Sequence, residues 1–302
     1  MDQSLQTFVI TGATSGIGLE ITRGLLQANK NVIMIVRNPD LADRRIAEFK
    51  RDFPHCQLSY IIADLASQQQ VESAASQLRY HCEQIHGLIN NAGIFMTSHK
   101  LSEDGIELTF AVNHMSHFIL TQLLLDRLAA SGSGRIVMLG SHAHTFVDRI
   151  QFDNIGWQKK FRSLKVYGQS KLANLLFMRQ IAKQLPSTVT INSADPGAVA
   201  TRIGCNNGKL EQIVSAVFRQ FYRSIPKGAE TPLYLALSPD VEGCSGLFYK
   251  DKQKIDPSAS AQSDNLAQQL WDFSMQSWKN ASLINHAQDI LRCQRQADHS
   301  IV

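Results

Sequence analysis

Tyr167 and Lys171 stand four positions apart in Tyr167-Gly168-Gln169-Ser170-Lys171. On a helix that spacing puts both side chains on one face. A phenol beside a fixed ammonium is a proton donor and acceptor, and its pKa is expected to fall from about 10 towards neutrality. Such a pair also arises by coincidence in a long chain, with Tyr167 then an ordinary core tyrosine. What argues for chemistry is the company it keeps along the sequence.

A second constellation is Thr11-Gly12-Ala13-Thr14-Ser15-Gly16-Ile17-Gly18, which follows an apolar run and opens a helical one. Glycines there permit a tight turn and a close backbone approach to a pyrophosphate. The helix that starts at this point offers free N–H groups and the positive end of its dipole. Gly12, Thr14, Ser15, Gly16, Ile17 and Gly18 are therefore candidate phosphate contacts; a ligand-free glycine turn is the plainer alternative. The next apolar run ends in Val36-Arg37-Asn38, with no acid before Asp40. A carboxylate at that point would favour NAD through the ribose 2′-OH, whereas an arginine accommodates a 2′-phosphate. Arg37 and Asn38 thus point to NADP(H), against the alternative of a solvated arginine at a strand end.

The elements that must carry these residues alternate along the chain. Apolar runs at Phe8 to Ile10, Val32 to Val36, Leu58 to Ile62, Leu88-Ile89, Arg135 to Leu139 and Thr188 to Asn192 read as parallel strands covered on both faces. Helical patterns fill the gaps, at Gly16 to Ala28, Leu41 to Lys50, Gln68 to His81, Gly105 to Ala130 and Val166 to Leu185. The expected fold is α/β, a Rossmann-type doubly wound parallel sheet of about seven strands in the order 3-2-1-4-5-6-7. A length of 302 residues with no evident linker suits one domain over 1–302. A formal charge of +4 argues against a nucleic-acid binder or a polybasic membrane protein. Five scattered cysteines without a Cys-x-x-Cys read as reduced thiols, and neither a signal peptide nor a membrane span is expected, so the expected compartment is cytoplasmic. His114, His117, His142 and His144 invite a metal reading, but no carboxylate or cysteine completes a set at ligand spacing. No metal is expected.

Further motifs fall in a set order: Asp64-Leu65, Asn90-Asn91-Ala92-Gly93, Asn113, Ser141, the Tyr167/Lys171 pair and Pro196-Gly197. With the glycine loop, they resemble the short-chain dehydrogenase/reductase family over nearly the whole chain. Val112-Asn113-His114, His117-Phe118, Ser170 to Asn174 and Gly246-Leu247-Phe248-Tyr249 look like its retinol dehydrogenase branch; Asp195 stands where that branch usually has His. The resemblance implies that Asp64 and Leu65 lie by the adenine, and that Asn90, Asn91, Ala92 and Gly93 line the middle of the cofactor. It implies that Pro196-Gly197 abuts the nicotinamide, that Thr201 holds its carboxamide, and that Val199 is a further cofactor contact. It further implies that Ser141 steadies an oxyanion, that Tyr167 is the general acid/base, and that Lys171 holds both tyrosinate and nicotinamide ribose. Asn113 would anchor, through its carbonyl, a water leading to Lys171.

Beyond Thr201, apolar residues from Leu210 to Ile225 fall at helical spacing and suggest a lid over 202–225. An oligomer surface or membrane contact would use the same face. The polar tail 281–302 has no assigned role. The expected function is NADP(H)-dependent interconversion of a lipophilic aldehyde or ketone with its alcohol, in a possible homodimer or homotetramer. A non-catalytic NADPH sensor and a sugar-nucleotide epimerase are the alternatives.

Overall fold

The computed structural model describes residues 6–158, 160–199 and 223–280. Thr201, most of the expected lid and the tail lie outside the described residues. Among the described residues eight strands form one sheet: β1 (Thr7–Thr11), β2 (Asn31–Val36), β3 (Leu58–Ile62), β4 (Gly87–Asn90), β5 (Gly134–Leu139), β6 (Val189–Asp195), β7 (Leu247–Lys250) and β8 (Gln253–Ile255). Their order is β3-β2-β1-β4-β5-β6-β7-β8. The first seven are parallel, as expected, and β8 adds an antiparallel margin to β7. With three residues, two of them exposed polar side chains, β8 offers no hydrophobic pattern to read.

Alternation along the strands sends side chains to two apolar layers. Val9, Leu88, Ile136 and Met138 face a layer built with α3 (Gln68–His81), α5 (Ser116–Ala130), α6 (Ser163–Ala182) and α8, the helix over 264–280. Phe8, Ile10, Ile89, Val137 and Leu139 face the other, with α1 (Gly16–Gln27), α2 (Pro39–Asp52) and α7 (Ile225–Leu237). A strand whose two faces are both covered must be apolar throughout, which is why these strands read as continuous runs.

The expected helix from Gly105 to Ala130 is three pieces. Gly105 turns the chain at φ 75°. The buried carboxylate of Glu107 then accepts from the Phe110 amide (2.9 Å) and starts the helix late, as α4 (Leu108–Phe110). A π-turn over Ala111–Met115 follows before α5 resumes α-geometry. π-turns interrupt α-helices most often at functional sites, and Asn113 sits in the middle of this one. No helix among the described residues is long and apolar enough to cross a membrane.

Candidate active site

The glycine loop lies at the carboxyl end of β1, where the sheet order reverses between β1 and β4; ligands of open α/β sheets bind at such points. Gly12 and Gly16 adopt φ of 66° and 57°, a region side chains disfavour. A Cβ on Gly18 would stand 2.2 Å from the Gly12 carbonyl oxygen, so only glycine lets α1 start this close to β1. Ser15, the N-cap of α1, makes no side-chain cap and the first turn holds no acid. Uncapped N–H groups without a competing carboxylate fit an incoming pyrophosphate.

The loop is braced from β4. The Asn91 side chain donates to the carbonyls of Thr11 (2.8 Å) and Gly12 (3.1 Å). In return the Thr11 hydroxyl accepts from the amides of Asn91 (3.0 Å) and Ala92 (2.9 Å). A Cβ on Gly93 would come 3.6 Å from Asn113 Oδ1 and 3.8 Å from Lys171 Nζ, so the backbone here runs beside both groups.

Four of the expected residues converge there. The Asn113 carboxamide accepts from the Ile94 amide (2.8 Å) and donates to the Ile94 carbonyl (3.0 Å) and the Ser170 hydroxyl (3.0 Å). Lys171, only 4% exposed, donates to the Leu139 carbonyl (2.8 Å) and lies 5.6 Å from the Tyr167 ring centre. Ser141 caps a 3-10 turn over His142–Phe146, accepting from the Ala143 amide (3.1 Å). Its hydroxyl also faces Tyr167 and draws the phenol pKa down.

That pull does not win. Burial and then the Asp195 charge push Tyr167 up to about 12, opposite to the expected fall towards neutrality. Lys171 is meanwhile pushed down to about 8, because losing its hydration outweighs the attraction of Asp195. The expectation counted the ammonium alone; the fold adds desolvation and a carboxylate from β6. Asp195 is itself buried, and its Oδ1 accepts from the Gly197 amide (2.9 Å), holding the Pro196-Gly197 turn at φ 75°.

The remaining candidates are more spread out. Asp64 Oδ1 accepts from the Ala66 amide (2.9 Å), and Leu65 packs on the core. Asn38 spends its carbonyl oxygen on the Leu41 amide (3.0 Å) as the cap of α2, with Pro39 in the first turn. Arg37 is exposed at the end of β2, Ile17 packs beside Gly228 of α7, and Val199 bridges to Arg223. Three neighbours went unnoticed in the sequence. Thr11 was only part of the loop. Arg45 donates to the Thr14 carbonyl (3.2 Å), and its place on α2 beyond Arg37 was the one available hint. Phe95 sets its ring edge-on to Tyr167, 5.6 Å between centres, and nothing in the pattern marks it. Of the histidines, His144 faces the Ser141 carbonyl (2.7 Å) and accepts from the Ser258 amide (3.0 Å), while His114 faces Ser274 (2.9 Å). They brace the fold.

Residues 6–211 match the family described as short chain dehydrogenase. The chain is 38% identical over 285 residues to short-chain dehydrogenase TIC 32 B, chloroplastic, of Brassica napus, covering 91% of this chain and 89% of that one. With retinol dehydrogenase 12 of Mus musculus it shares 37% over 267 residues, 88% of this chain and 84% of the other. Among solved structures, an uncharacterised protein from Mycobacterium paratuberculosis superposes with a TM-score of 0.71 at 29% identity, covering 91% of this chain and 93% of that one. A glycine-loop cleft at a sheet reversal, the Tyr167/Lys171 pair within it and likeness along nearly all the chain agree: this protein belongs to the short-chain dehydrogenase/reductase family of nicotinamide-dependent oxidoreductases, in its retinol dehydrogenase-like branch.

Proposed function

We propose that the protein interconverts a lipophilic aldehyde or ketone and its alcohol, with NADP(H) as cofactor. The observation that carries this reading is the juxtaposition of Tyr167 and Lys171, whose Nζ lies 5.6 Å from the phenol ring centre, in the cleft the glycine loop opens onto. When bound, the cofactor supplies or accepts the hydride. With its pKa near 12 the phenol is fully protonated at neutral pH, the form a proton donor to a carbonyl oxygen must have. Ser141 adds a second hydroxyl to steady charge on that oxygen. Lys171 keeps a cation close to the phenolate left behind, and Asn113 fixes the floor beside Lys171 through Ser170 and Ile94. Each pKa unit by which a neighbouring charge favours phenolate is worth about 1.4 kcal/mol.

NADP(H) over NAD(H) is supported by Arg37 at the end of β2 with no acid beside it, and by Arg45 reaching the loop carbonyl of Thr14. A lipophilic substrate is supported by the cleft mouth. Phe95 lies against Tyr167, Phe146 packs by Gly168 while 39% exposed, and Leu164, one turn before Tyr167, is 60% exposed. Contiguous exposed apolar surface is a mark of ligand-binding grooves. The test is loss of reduced-nicotinamide absorbance when the protein meets a panel of alkyl, aromatic and sugar aldehydes with NADPH or NADH. Turnover with alkyl or aromatic aldehydes and NADPH supports the reading; turnover confined to NADH, or to sugars, overturns it. The proposed compartment is the cytoplasm, supported by the unpaired thiols of Cys56, Cys82 and Cys244, and fractionation of cells tests it.

A further inference from the structure

His117 has no place in the chemistry above, yet it is wholly buried one turn beyond Asn113. Its Nδ1 lies 3.1 Å from the Asn113 main-chain carbonyl oxygen, and its Nε2 lies 3.1 Å from the Thr11 hydroxyl. Burial, and then the nearby Lys171 charge, push its pKa down to about 3, so the ring is neutral, with one donor and one acceptor. A carbonyl oxygen only accepts, which places the proton on Nδ1. Nε2 must then accept from the Thr11 O–H, whose other acceptor, the Ile89 carbonyl, is farther off at 3.5 Å. The two lone pairs of Thr11 are already taken by the amides of Asn91 and Ala92. Direction is therefore fixed along the whole chain: Asn91 and Ala92 amides to Thr11, Thr11 to His117, His117 to Asn113. The reversed ring would set two lone pairs face to face at Asn113.

We propose that His117 is a positioning residue that locks the turn after β4 to the π-turn, so that the backbone of the dinucleotide cleft and the Asn113/Lys171 floor hold one register. The carbonyl for which the family resemblance implies a water is here met by an imidazole. The inference rests on this cleft being the dinucleotide site, and its test separates the two. Leu at 117 removes donor and acceptor together; Gln keeps one of each; Thr11→Val removes the link between the ring and the Asn91 and Ala92 amides without touching the ring.

The experiment measures NADPH dissociation constants by fluorescence titration for the wild type, H117L, H117Q, T11V and the double variant H117L/T11V. Amide hydrogen exchange across Asn91 and Ala92 is followed without ligand in the same proteins. Links of one chain are not additive. H117L and T11V each weaken NADPH binding roughly tenfold, and the double variant weakens it by about as much as the worse single one rather than by the product, roughly a hundredfold. H117Q stays within about threefold of wild type, because an amide also donates and accepts. Exchange at Asn91 and Ala92 quickens in both single variants. Binding within twofold of wild type in H117L, additive losses, or unchanged exchange at Asn91 and Ala92 overturns the proposal. If H117L does not fold, H117F, which keeps a ring but offers neither donor nor acceptor, decides by the same readouts. Should the wild type bind neither NADPH nor NADH, the cofactor reading fails, and the exchange measurement alone decides on His117.

Discussion

Around Tyr167 the polar partners are sunk in the protein: Asn113, Ser170 and Lys171 are buried, and each has a named hydrogen-bond partner. Around Arg37 the opposite holds, with Ser15, Arg37 and Asn38 all facing solvent. Away from water a polar atom without a partner costs on the order of 1–3 kcal/mol, so the first region tolerates little rearrangement. In solvent a long cation keeps its hydration and its rotamers, and contributes modestly to any one contact. The molecule thus fixes the geometry of proton transfer in its interior and leaves discrimination between cofactors to a surface that changes cheaply. Evolution can exchange one without disturbing the other.

Substitutions test that contrast in descending order of effect. Tyr167→Phe removes the proposed proton donor from the buried end, and carbonyl reduction is expected to fall by at least about 10²- to 10⁴-fold while NADPH still binds; activity within tenfold of wild type refutes the assignment. Acid is the next probe. His114 and His117 both have pKa values near 3 in the fold against 6.5 unperturbed, chiefly through burial. Below pH 6.5 the unfolded chain takes up protons that the folded one refuses, so stability is whole above 6.5 and drains away as pH falls towards 3. Each ring removes roughly 2 kcal/mol between about pH 6.5 and pH 5, and urea unfolding should show His114→Phe removing about half of that slope.

At the exposed end the effects shrink. Arg37→Leu is expected to raise the dissociation constant for NADPH by roughly tenfold, leave that for NADH within about twofold, and spare the turnover rate. A fall in turnover as large as that of Tyr167→Phe would erase the distinction between the two regions. Smallest of all, Asn38→Ala should lower stability by about 1 kcal/mol through the lost cap of α2, with cofactor preference unmoved. A change of preference would show that Asn38 also reaches the ribose.

The same division governs what the sequence could reveal. Strands covered on both faces must be apolar throughout, so β1 to β6 stood out as runs. The glycine loop and the Tyr167/Lys171 pair are local in sequence and were legible for that reason. A five-residue π-turn shifts the helical period too little to be seen in a pattern. His117 acquires its meaning from Thr11, 106 positions away, and the phenol pKa from burial and from Asp195 on a different strand. Contacts that only the closed fold creates leave no periodicity behind. Arg37 and Arg45 stood near each other in sequence, but only the fold brings Arg45 onto Thr14.

The short antiparallel β8 bears on how the molecule behaves in a crowd. An open strand margin is a template on which another chain can add a strand, and β8 blunts one side of the sheet with three residues that include exposed Gln253 and Lys254. Among the described residues the opposite margin, β3, has no such guard and carries Ile62, 54% exposed. Any drift towards self-adhesion and precipitation therefore starts on the β3 side, far from the strand that closes the sheet.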